Sequence, residues 1–77
     1  MQTIRPVTYE EADARFRTVN TASGIAAALM AHCDERDPAR QAAARACVAF
    51  AEGAGDPEDL RALFIAALEA AGVFVRE

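Results

Sequence analysis

Apolar side chains recur along most of this chain at spacings of three and four, the rhythm of helices that bury one face. The clearest stripe is Leu60, Leu63, Phe64, Ala67, Leu68 and Ala71. It predicts a helix from 57 to about 71, stopped by Gly72. A second stripe, Ile25, Ala28, Leu29 and Cys33, predicts a helix from about 22 to 36 with Ser23 near its start. Between these, residues 38 to about 52 form another helix, ended by Gly53-Ala54-Gly55. Two of the starts share one chemistry. Asp37-Pro38 and Asp56-Pro57 each put a side-chain acceptor at the N-cap and proline at the first helical position.

The first 20 residues carry a weaker version of the same rhythm. Tyr9, Ala12, Phe16 and Val19 fall on one helical face, and Thr8-Tyr9-Glu10-Glu11 fits a capping box. These predict a first helix from about residue 9, broken near Asn20; one long bent helix over 9–36 is the competing reading. Residues 2–7 lean extended, because Arg5 precedes proline and Ile4 and Val7 are β-branched. The apolar tail from Val73 either covers the bundle end or pairs as a strand with residues 2–5. The expected fold is therefore all-α: a single domain over 1–77, a small antiparallel bundle of three to four short helices.

Composition narrows the function classes. Apolar residues make up 53%, enough for a folded domain, but 20 of the 77 residues are alanine. Alanine favours helix and buries little area, so the core must be thin and a partner or second copy would stabilise it. All eight basic residues are arginine and the net charge is −4. That balance argues against non-specific binding to nucleic acid or to anionic membranes. No apolar run reaches transmembrane length, and the N-terminus lacks the apolar core of a secretory signal. Two cysteines without such a signal point to reduced thiols in a cytoplasm.

The stretch Ala31-His32-Cys33-Asp34-Glu35-Arg36-Asp37-Pro38 holds the chain's one histidine beside a cysteine. Consecutive helical residues point about 100° apart, so His32 and Cys33 neither share a metal ion nor act as base and nucleophile. In a hairpin of helices, Cys47 lies about 9 Å along the axis from the position facing Cys33, at about 1.5 Å per residue. That offset is beyond a disulfide. The stretch reads as a turn between helices, with no catalytic constellation and no cofactor or metal site.

What remains is a binding reading. Asp34 and Glu35, taken as the last turn of a helix, face the unfavourable end of its dipole. With Asp37 they form an acidic corner suited to a basic partner. Met30, Val48 and Ile65 miss the main stripes, and with Phe74 they are candidate apolar anchors. The expected function is a protein-binding module that blocks its partner sterically and electrostatically. Small acidic phage or mobile-element inhibitors of nucleic-acid machines, such as anti-CRISPR proteins, share this general character. The alternatives are a helix-turn-helix-like DNA-binding regulator reading with the third helix, and a self-associating assembly subunit. The acids at the turn oppose the first of these.

Overall fold

The computed structural model describes residues 3–76. Expectations that touch Met1, Gln2 and Glu77 lie outside them. The chain runs β1 (Val7–Ala12), β2 (Arg15–Val19), α1 (Ala22–His32), α2 (Pro38–Ala51), α3 (Pro57–Ala70) and β3 (Val75–Arg76). The strands form one antiparallel sheet in the order β2-β1-β3. The all-α bundle is therefore overturned: the fold is α+β, with helices packed on one face of a three-stranded sheet.

The correction falls on residues 7–19. Thr8 does not cap a helix. It lies in β1 opposite Thr18, and the two hydroxyls hydrogen-bond at 2.8 Å. Side chains alternate across a strand, so Val7 and Tyr9 point into the core while Thr8 and Glu10 point away. The hairpin turns through Asp13 and Ala14, with Glu11 as an extra residue in the register between Glu10 and Ala12. Ala14 sits at φ 58°, and its amide donates to the Glu10 carboxylate at 3.1 Å. That side-chain acceptor holds a non-glycine residue in a left-handed conformation.

The helical readings from Ala22 onward stand, with shorter ends. Thr21, rather than Ser23, caps α1 by accepting from the Gly24 amide. Helix α1 ends at His32, not at Arg36, because Asp34 accepts the Arg36 amide and forms a turn of its own. Asp34 and Glu35 are thus outside the helix, and the supposed conflict with its dipole does not arise. Asp37 and Asp56 cap α2 and α3 through the Ala39 and Glu58 amides. Each of these helices ends in a paired backbone motif: Gly53 and Ala54 bond Phe50 and Ala49, and Gly72 and Val73 bond Glu69 and Leu68. Gly72, at φ 80°, turns the chain so that Val75 and Arg76 pair with Tyr9 and Thr8. The tail does become a strand, but on β1 rather than on residues 2–5.

The core lies between the layers. Ile25, Leu29, Leu60, Phe64 and Leu68 come from the helices; Ile4, Val7, Tyr9 and Val19 come from the sheet side. Burying each large side chain contributes about 1.5–3 kcal/mol. Ala43 and Ala67 are fully buried, which lets backbones approach closely where larger residues would hold them apart. Tyr9 is the principal aromatic link between layers, edge-on to Phe64 at 6.3 Å and to His32 at 5.4 Å. Arg5 ties the N-terminal segment to α3 through a two-point contact with Glu58, and Arg61 donates to the Arg5 and Pro6 carbonyls.

Candidate functional site

The helices cover only one face of the sheet. On the other face the register places Phe16, Glu10 and Phe74 in one row across three strands, and Thr18, Thr8 and Arg76 in the next. Phe16 and Phe74 lean together over the middle strand, with ring centroids 6.4 Å apart in an edge-on contact. The Arg76 guanidinium stands over the Phe16 ring at 5.6 Å. Phe16 keeps 44% and Phe74 59% of its surface exposed. Two large aromatics held together in water, with a cation stacked on one, make a preformed contact surface.

Strand β2 is an edge of the sheet, and four of its five residues are exposed. Its helix-facing side borders a cleft of about 260 Å3 between β2 and α1. Tyr9, Glu11, Arg17, Asn20 and His32 line this cleft, with Gly24, Ala27 and Ala31 as a low floor on α1. Arg17 pairs with Glu11 at 2.9 Å. Burial pushes the Tyr9 phenol above its usual range, while the Arg17 charge pulls it the other way. A larger but shallow depression of about 500 Å3 lies between the start of α1 and the end of α2. Its mouth holds Glu52, and Thr21 already caps the nearby helix amides, so it offers little to a ligand.

The residues singled out from sequence are dispersed. Phe74 lies on the open sheet face, beside Phe16, a residue that the helical reading had turned inward. Met30 and Val48 are exposed on α1 and α2, in the other layer. Ile65 is half-buried and packs against the core. Asp34, Glu35 and Asp37 do cluster in one turn, but two of them have structural work: Asp34 holds Arg36 and Asp37 caps α2. Glu35 lends its carbonyl to Gln41. What the sequence reading missed is the pairing of Phe16 with Phe74 and the arginines of β2. The available signal was the β-branched and aromatic content of Val7-Thr8-Tyr9 and of Phe16, Thr18 and Val19.

The thiols are held apart. Cys33 and Cys47 are free; Cys33 donates to the Ala67 carbonyl at 3.6 Å and Cys47 to the Ala22 carbonyl at 3.2 Å. Burial raises both above the usual thiol range, which opposes the thiolate needed of a nucleophile. Among the described residues, no group of three or more His, Cys, Asp or Glu side chains converges as a metal site would require. No described helix is long and apolar enough to cross a membrane.

The architecture defines a class: a small α+β domain whose sheet is roofed by helices on one face and, among the described residues, bare on the other. Residues 5–75 match the model of a family described as a protein of unknown function (DUF982), and the chain belongs to that family. No curated protein and no solved structure matches the chain. The expectation of a phage or anti-CRISPR-like inhibitor finds no support in these comparisons and is not carried further.

Proposed function

We propose that this protein is a binding module for another protein and that the bare face of its sheet is the contact surface. The observation that carries this reading is the exposed Phe16–Phe74 pair, braced by Arg76. Aromatic and arginine side chains are enriched in protein interfaces, where they bury large areas. Here two phenylalanines are already ordered against each other, so docking need not freeze them. Thr8, Thr18 and Glu10 supply a polar surround. The free thiols Cys33 and Cys47 support a reducing, cytoplasmic setting. Glu35, Met30 and Val48 belong to the helical layer and stand outside this surface.

The test is quantitative affinity capture from a lysate of the natural source, with wild type and a Phe16→Ser/Phe74→Ser variant side by side. Circular dichroism should show the variant folded, since both rings are substantially exposed. One or more proteins retained by wild type should be lost by the variant. Identical captured sets would overturn the assignment of this face.

A further inference from the structure

We propose that the edge of β2, unpaired among the described residues, accepts a fourth strand from the partner, and that this strand carries an acidic–apolar–acidic pattern. The inference rests on the protein-binding reading above and names the chemistry of what binds.

The register fixes which backbone groups are available. The Glu10 amide donates to the Phe74 carbonyl, so Glu10 directs its backbone towards β3. In an antiparallel ladder, bonded and non-bonded pairs alternate. Tyr9 and Arg17 are therefore the bonded pair between β1 and β2, and Thr8 and Thr18 the close non-bonded pair, as their 2.8 Å hydroxyl contact requires. It follows that the amides and carbonyls of Phe16 and Thr18 face away from β1 at the sheet's edge. They are the donors and acceptors that an added strand would engage.

The side chains beside those groups set the sequence it would need. Phe16 projects onto the bare face, so the residue opposite it gains most by being apolar or aromatic. Arg15 and Arg17 project from the helix-facing side, and Arg17 lines the cleft towards α1. Residues opposite them are favoured as Asp or Glu: Arg15 makes no ion pair among the described residues, and at Arg17 an incoming carboxylate would share the guanidinium with Glu11, 2.9 Å away. This local basic strand contrasts with a chain of net charge −4.

The same charges disfavour a second copy of β2 in the two registers that centre on Phe16 and Arg17. Antiparallel self-pairing in the register that sets Phe16 opposite Thr18 places Arg17 opposite Arg17; the register that sets Thr18 opposite Thr18 escapes this clash but leaves Phe16 opposite Asn20, without an apolar neighbour. A shift that pairs Phe16 with Phe16 sets Arg15 opposite Arg17. Like charges directly across a strand pair are destabilising. Arginines on an edge also serve simply to deter aggregation. That role alone accounts for neither the cleft nor an exposed aromatic pair on the adjoining face.

The probe is a blocked peptide, Thr-Glu-Phe-Glu-Thr, whose symmetry makes it indifferent to strand direction. Titrated into the 15N-labelled protein at low salt, it should shift the Phe16 and Thr18 amides saturably. Thr-Lys-Phe-Lys-Thr should bind at least tenfold more weakly, as should the glutamate peptide methylated on its phenylalanine nitrogen. Arg17→Glu should reverse the preference between the two peptides, which a merely unfolded variant would not do. Absence of binding by the glutamate peptide, equal binding of the lysine peptide, or indifference to N-methylation would overturn the proposal. Thr18→Pro removes one edge amide and no backbone bond to β1; it also deletes the hydroxyl contact with Thr8, a loss that Thr18→Ala, which keeps the amide, controls for. A captured protein that is lost by Phe16→Ser/Phe74→Ser but kept by Thr18→Pro would overturn strand addition and leave the binding reading intact.

Discussion

Tyr9 is where the two layers of this fold are joined, and truncating it measures how much the sheet contributes. Tyr9 is 1% exposed and touches both Phe64 and His32 edge-on. Truncating a buried aromatic to alanine costs about 3–5 kcal/mol, the upper part applying where surroundings cannot collapse into the space. The backbone around Tyr9 is pinned on both sides, to Arg17 in β2 and to Val75 in β3, so collapse is restricted. Tyr9→Ala is therefore expected to cost at least about 3 kcal/mol. A domain of this size has roughly 4–12 kcal/mol in total, at about 0.05–0.15 kcal/mol per residue. The variant should unfold at much lower urea, or be largely unfolded without it.

Neighbouring positions supply the control. Phe16 is 44% exposed, and Phe16→Ala should cost less than about 1.5 kcal/mol, half of a full burial term. Thr8→Ala loses one exposed hydroxyl contact, about 0.5–1 kcal/mol. Urea unfolding followed by far-ultraviolet circular dichroism gives all three values, provided the slopes agree. The strand geometry predicts a large loss at Tyr9 and small ones at Thr8 and Phe16. A helix over the same residues would set Tyr9 and Phe16 on one buried face. Equal, large losses at those two positions would refute the sheet.

Four further expectations come from local features. Ala14→Gly relieves the left-handed strain at φ 58° and should raise stability by about 1 kcal/mol, seen as a rise of roughly 4–8 °C in Tm. Asp37→Ala and Asp56→Ala each remove a helix N-cap and should cost about 1 kcal/mol in urea unfolding, with Asn at either position restoring most of it. The Arg5 guanidinium, by hydrogen bond and charge, holds the Glu58 carboxyl below its ordinary range. The stabilising effect of this depressed pKa is fully present above the unfolded value of about 4.3 and is lost as pH falls through the folded one. Glu58→Gln should thus flatten the acid limb of a stability–pH curve, lowering stability modestly at neutral pH and leaving it nearly unchanged below the folded pKa. Cys47, buried and raised in pKa, should resist iodoacetamide at neutral pH and be labelled at a rate that follows global unfolding.

Helices with proline-led starts were legible because their signals are local. Asp37-Pro38 and Asp56-Pro57 work through the two or three residues that follow, whatever the rest of the chain does. The hairpin was not legible because its cues mimic another element. Thr8 and Glu11 have capping-box spacing, and Tyr9, Ala12, Phe16 and Val19 happen to fall three and four apart. The turn lacks the usual glycine or asparagine; Ala14 adopts the required conformation only because Glu10, four residues back, accepts its amide. The pairing of β3 with β1 depends on residues more than 60 positions apart, which no local pattern reports. The site was hidden for the same reason: the contact between Phe16 and Phe74 exists only once both edges of the sheet are assembled on β1.

The distribution of charge also changes meaning once contacts are known. By count this is an acidic chain, which directs attention to its carboxylates. Yet Asp37 and Asp56 cap helices, Asp34 closes a turn, Glu10 holds Ala14, and Glu11 and Glu58 pair with Arg17 and Arg5. Much of the negative charge is thus engaged inside the molecule and ill-placed to recognise a partner. Among the arginines of the sheet, Arg17 is paired with Glu11, whereas Arg15 makes no ion pair among the described residues and Arg76 rests on an aromatic face. On the proposed binding reading, recognition would fall to the minority charge carried on the sheet, while these acids shape the scaffold. That division predicts the sign of a mutational scan. Neutralising Asp37 or Asp56 should lower Tm and leave affinity per folded molecule unchanged. Neutralising Arg15 and Arg17 should leave Tm within a few degrees and weaken capture of an acidic partner, most at low salt, where screening is least. The opposite pattern, with affinity following the carboxylates, would return the acidic turn at Asp34, Glu35 and Asp37 to the centre of the function.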